Sequence, residues 1–193
     1  MTSSMFLTTP TLLTWSRIVA IPLIIAIYYI FPESAGWRDI LATGVFILAA
    51  VTDWFDGYLA RKLNQTSAFG AFLDPVADKL LVCASLLILL ELSRVNAFIV
   101  LIIIGREISV SALREWMAKI GAASSVAVHM VGKVKTAVQM VAIPFLLLDR
   151  QLFNYVDTAL WGSVLIYLAA LLTIVSMVYY LRKAIPEISK QMQ

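Results

Sequence analysis

Residues Asp53–Asp78 read DWFDGYLARKLNQTSAFGAFLDPVAD and set four carboxylates among residues otherwise suited to a membrane interior. Asp53 and Asp56 are three apart, so a helix puts them on one face. Asp74 and Asp78 are four apart, with Gly70 one turn earlier on the same stripe. Two helical faces carrying two carboxylates each are therefore expected to meet. Like charges that close oppose each other's ionisation unless something positive holds them. Carboxylate oxygens suit Mg²⁺ or Mn²⁺ better than a soft metal, and Mg²⁺ held by a few carboxylates completes its shell with phosphate oxygens. The stretch points to phosphate chemistry within a helical bundle.

Its other positions agree. Gly57 and Ala60 are small and leave room for a ligand beside the backbone, while Arg61 offers a planar guanidinium to an anion. Gly70 removes a side chain where the second helix faces the same ligand. Asp74-Pro75 reads as a helix start, since proline is tolerated in the first turn and aspartate is favoured just before it.

The rest of the chain explains the setting. Of 193 residues, 61% are hydrophobic, and the mean hydropathy is +0.89; soluble domains are roughly 45–50% apolar. Apolar runs fall at 12–31, 40–59, 76–92, 97–104 with its continuation, 134–148 and 159–181. At about 20 residues per span, six transmembrane helices fill the chain. The expected fold is all-α, a polytopic membrane helical bundle over residues 1–193 as a single integral-membrane domain. The N-terminus has no basic region ahead of the first apolar run, so that run is expected to stay as a span.

Threading the six spans alternately puts Arg17, Arg61, Lys62, Lys79, Arg106, Arg114, Lys119, Lys133, Lys135, Arg182, Lys183 and Lys190 on one side. Only Arg38, Arg94 and Arg150 fall on the other. A bias of 12 against 3 assigns both termini and the aspartate stretch to the cytoplasmic side. The net charge of +3 follows from this asymmetry and calls for anionic membrane lipids, not for nucleic acid.

Outside the aspartate stretch, Arg17 near the start of the first span reads either as a side chain snorkelling to the interface or as an anion contact. Arg106 follows Leu101-Ile102-Ile103-Ile104 after a single Gly105, and Arg114 lies about two turns on, so a shared anion would account for both. Lys133 and Lys135 fall on opposite sides of a helix, and one of them is expected to reach that anion. Glu107 and Glu115 are read as orienting neighbouring arginines. His129, the only histidine, and Cys83, the only cysteine, are read as packing or surface residues. Trp37, Tyr155, Trp161, Tyr179 and Tyr180 sit near span ends as interface anchors do.

The pattern Asp53-x-x-Asp56-Gly57-x-x-Ala60-Arg61, then eight residues to Gly70, then Asp74 and Asp78 at intervals of four, resembles the complete signature of the CDP-alcohol phosphatidyltransferases. The resemblance covers most of residues 10–145. Thr14 and Arg17 also match, although Thr9 and Thr11 stand where the family has asparagines. The stretches TDWFDGYLARK, GAFLDPVADK, GREISVSALREW and SSVAVHMVGKVKTAVQM resemble the bacterial subgroup whose acceptor is glycerol 3-phosphate.

The resemblance implies transfer of the phosphatidyl group of CDP-diacylglycerol to glycerol 3-phosphate with release of CMP, in a homodimer of the bacterial cytoplasmic (inner) membrane. It implies Mg²⁺ or Mn²⁺, as two ions, on Asp53, Asp56 and Asp74, with Asp78 as general base sharing a metal. Gly57, Ala60, Arg61, Gly70, Thr14 and Arg17 are then expected to face CDP-diacylglycerol, and Arg106, Arg114, Lys133 and Lys135 the acceptor phosphate. The alternatives are the same chemistry with serine or inositol phosphate as acceptor, or, from another class, a membrane cation transporter with carboxylates clustered between helices.

Overall fold

The computed structural model describes the backbone of residues 9–63, 68–122, 130–152 and 155–191, and side chains over 12–53, 69–70, 72–122, 130–152 and 155–189. The described residues form six helices, α1 (Thr9–Ile30), α2 (Arg38–Leu63), α3 (Ala68–Glu91), α4 (Ala97–Lys119), α5 (Met130–Leu148) and α6 (Thr158–Gln191). A two-stranded antiparallel hairpin, β1 (Gln151–Leu152) with β2 (Val156–Asp157), joins α5 to α6 where the sequence reads only as a turn.

Three helices are long and apolar enough to cross a membrane by composition, over Leu12–Ile30, Met130–Leu148 and Thr158–Ser189. The other three have the length but carry charged residues, including Asp53 and Asp56 on α2, Asp74 and Asp78 on α3, and Arg106, Glu107 and Arg114 on α4. The chain is an all-α membrane bundle in which the charged Arg17, Arg106 and Lys135 are buried among the helices. Outward-facing positions are large and apolar, as Leu168, Leu171, Ile174, Val175, Val178 and Leu181 show on α6. The inner stripe of that helix is small or polar, with Ala169, Thr173, Ser176 and Ala184 buried. In lipid the apolar side chains have no reason to hide, so close packing and interhelical polar contacts hold the bundle.

α1 packs on α2 and α3, α5 on α2 and α6, and α4 on α6. One expected boundary is wrong. α3 does not start at Asp74-Pro75 but at Ala68, with Pro75 inside the helix. Proline removes one backbone hydrogen bond, which a membrane helix tolerates where neighbouring groups take up the freed carbonyl. Starting earlier puts Gly70, Asp74 and Asp78 on one continuous helix.

The pole opposite the aspartates is tied by the three basic residues assigned to the sparsely charged side. Arg94, between α3 and α4, donates to the terminal carbonyls of α5 at Leu146 (3.2 Å) and Leu147 (2.7 Å). It also pairs with Asp39 at 2.7 Å and Asp149 at 3.0 Å. These bonds satisfy carbonyls that a helix end otherwise leaves unpaired. Arg38 pairs with Asp39, and Arg150 donates to the Gly36 carbonyl.

Two helices approach closely at Gly162, where a Cβ would lie 2.7 Å from Leu146 Cγ and 3.0 Å from its backbone nitrogen. At Gly44 a Cβ meets nothing within 4 Å. Gly162→Val is expected to lower stability in detergent by about 1–3 kcal/mol through overpacking, while Gly44→Ala is neutral or slightly stabilising. Thermal unfolding of the two variants side by side checks this.

Candidate active site

The site is assembled at the other pole by α1, α2 and α3. The centre is Arg17, which is wholly buried. Its Nη1 donates to Asp53 Oδ1 at 2.6 Å and to Asp78 Oδ1, and its Nη2 lies 3.3 Å from Asp74 Oδ1. Thr14, one turn earlier and also buried, donates its hydroxyl to Asp74. Snorkelling is therefore the wrong reading of Arg17. Three carboxylates gathered from two helices attract the guanidinium more strongly than headgroups do, and its five donors can serve all three.

The carboxylates themselves are not sealed in. Asp53, Asp74 and Asp78 keep 41%, 41% and 45% of their side-chain surface exposed. They are hard oxygen donors already converging on one positive group, which is the chemistry a divalent cation requires. Among the described residues no three acidic, histidine or cysteine side chains form a ready-made cage. The donor types and their convergence fit a hard divalent ion, with Asp53, Asp74 and Asp78 as the described groups that could hold it. Asp56, Gly57, Ala60 and Arg61 lie on α2, but their side chains are outside the described residues, as is His129. Gly70 is buried on α3.

A cavity of about 150 Å³ opens beside the aspartates, with Asp53 and Asp78 on one wall and Lys135, Thr136 and Gln139 of α5 on another. That is room for several waters or a small polar molecule. Lys135 is buried and ion-paired with Glu107 of α4, which also contacts Arg106 at 3.3 Å. Glu107 thus contacts its neighbouring arginine, as expected, and also pairs with Lys135 from another helix. Lys133 is exposed and does not line the cavity, so of the two lysines it is Lys135 that reaches it.

Arg106 and Arg114 are brought together by a residue the sequence reading misplaced. Tyr180 is no interface anchor but is fully buried, with Arg106 5.5 Å and Arg114 4.9 Å from its ring centroid. Its hydroxyl accepts from Arg114 Nη2 at 2.7 Å. Cation–π contact and this bond hold both arginines against α6. Trp37, Tyr155 and Trp161 are exposed, as anchors should be, and Glu115 pairs with Lys119 rather than with an arginine.

Residues 7–175 match the family model described as CDP-alcohol phosphatidyltransferase. The chain belongs to that family. A protein of Salmonella choleraesuis (strain SC-B67) is 45% identical over 179 residues, 91% of this chain and 93% of that protein. One of Escherichia coli (strain K12) is 46% identical over the same shares. Both are named CDP-diacylglycerol–glycerol-3-phosphate 3-phosphatidyltransferase. In this phosphatidyltransferase Asp53, Asp78 and the Lys135 wall face one cavity, with Asp74 beside it on Arg17, whereas Arg114 stands behind on Tyr180.

Tyr180→Phe keeps the ring and removes the acceptor for Arg114. It is expected to cost about 1.5–3 kcal/mol of stability, as for a hydrogen bond to a charged group, and to raise the KM for the acceptor more than that for the lipid donor. Thermal unfolding and steady-state kinetics on the same preparation check both.

Proposed function

We propose that the chain transfers the phosphatidyl group of CDP-diacylglycerol to glycerol 3-phosphate, giving phosphatidylglycerophosphate and CMP. The single observation that carries this is the small cavity with a carboxylate, Asp78, on one wall and a buried cation, Lys135, on another. The shared name of the relatives supports the same reaction. A small molecule with a hydroxyl at one end and a phosphate at the other fits between those two groups.

The oxygen of the acceptor's primary hydroxyl bonds to the lipid-side phosphorus. The bond from that phosphorus to the bridging oxygen breaks, and CMP leaves with that oxygen and the electron pair. The hydroxyl proton goes to Asp78, whose other contact, Arg17, fixes the direction of the carboxylate. A carboxylate is a weak base towards an alcohol, so positioning dominates and the proton moves as the bond forms. When bound, Mg²⁺ or Mn²⁺ supplies charge neutralisation on the diphosphate and the leaving CMP. Asp53, Asp56 and Asp74, with Asp78 shared, are the residues that would hold two such ions.

Gly57, Ala60, Arg61 and Gly70 take the CDP portion, with Thr14 and Arg17 setting the aspartates that face it. Arg106, held near Lys135 through Glu107, adds positive charge on the acceptor side. The acyl chains remain in lipid while the headgroup enters the pole. The enzyme works as a homodimer in the cytoplasmic membrane, with this pole towards the cytoplasm, as the basic-residue bias supports.

Purified protein in detergent with CDP-diacylglycerol and Mg²⁺ is expected to release CMP with glycerol 3-phosphate and not with serine, inositol 1-phosphate or glycerol. Release with one of the others would discard the acceptor reading, and no release with any would return ion transport to consideration. Chelation of divalent ions is expected to stop CMP release, and Mg²⁺ or Mn²⁺ to restore it. Asp78→Asn is expected to lower turnover by about 10²–10⁴-fold, the usual size of a general-base contribution, with CDP-diacylglycerol binding still measurable. Equal loss of binding would sink the base assignment.

A further inference from the structure

The cavity has a polar mouth and an apolar floor, and one residue breaks that division. Ala49 and Ala50 lie one turn deeper than Asp53, and Leu81 and Val82 one turn deeper than Asp78. On α5, Gln139 lies one turn deeper than Lys135 on the same stripe. Gln139 is 2% exposed, and its side-chain oxygen has no hydrogen-bond partner among the described residues. Buried polar atoms are nearly always paired, and an unpaired one is costly to keep. An apolar side chain would fill this floor without that cost. The amide is therefore suited to a guest that completes it.

We propose that Gln139 reads the central hydroxyl of the acceptor and so selects a three-carbon polyol phosphate over acceptors that lack this group. The inference rests on the reaction proposed above. With the phosphate at Lys135 and the attacking hydroxyl at Asp78, both ends of the acceptor lie at the mouth. The carbon between them then faces the floor, where Gln139 stands. A hydroxyl both donates and accepts, so it satisfies the amide whichever way round its oxygen and nitrogen lie. Sites built to hydrogen-bond a substrate hydroxyl reject the analogue without it far more strongly than apolar pockets reject a change of size.

The test compares kcat/KM for CMP release with glycerol 3-phosphate and with 3-hydroxypropyl phosphate, which has the same length and no central hydroxyl. Wild-type protein is expected to prefer glycerol 3-phosphate by about 100-fold or more, and Gln139→Met to reduce that preference at least about tenfold. A merely structural glutamine would depress both acceptors alike and leave the ratio unchanged, which overturns the proposal. Equal use of the two acceptors by wild-type protein also overturns it, with no variant needed. Should methionine overfill the floor, Gln139→Ala gives the same ratio comparison. CMP release by wild-type protein only with serine or inositol 1-phosphate removes the acceptor reading and this inference together, and is seen before any variant is made.

Discussion

One buried guanidinium organises the site. Arg17 joins α1 to carboxylates on α2 and α3, so three helices share a single electrostatic contact. A charge among apolar helices persists only where partners and hydrogen bonds repay its lost hydration. Asp53, Asp74 and Asp78 do this, and in turn Arg17 allows three carboxylates to stand together. Three anions around one cation still leave negative charge in excess, at a mouth open to solvent. Such an arrangement is stable, and it remains attractive to further positive charge.

The aspartates were legible because their types and spacing are unusual in an apolar chain. Spacing on two helices carries no information about what stands opposite, which is why Arg17 read equally as an interface residue or as an anion contact. Its partners lie 36, 57 and 61 positions away. Tyr180 was misread for the same reason, since its partner Arg114 is 66 positions away and aromatic residues near span ends are usually anchors. A better signal was present on α5, where Gly132, Lys135, Gln139, Ala142 and Leu146 repeat at helical intervals and all are buried. In a membrane bundle the small and polar stripe faces inward, so that pattern marks the inner face. Pro75 is the opposite case. A strong local signal for a helix start was overridden by the continuation of α3 back to Ala68.

The division of basic residues between the poles has a second meaning in the structure. The three on the sparsely charged side are engaged in structure, with Arg94 capping α5 and crossing to Asp39 and Asp149. The aspartate pole is held by fewer helix-end contacts among the described residues, and its carboxylates are partly exposed. The described helix-end bonds and the carboxylate cluster thus stand at opposite ends of the same bundle.

The cavity walls carry three cationic side chains, Arg17, Lys79 and Lys135, and three anionic ones, Asp53, Asp78 and Glu107. The formal charges of these lining side chains cancel, with Asp74 just outside them adding the negative excess of the Arg17 cluster. A phosphate-bearing guest alone would charge it negatively, and a divalent ion alone positively. Were both to enter, each would lower the cost of admitting the other, and by thermodynamic reciprocity each would raise the other's affinity by the same factor. A chamber lined in this way would favour the two kinds of guest together, with no moving part required.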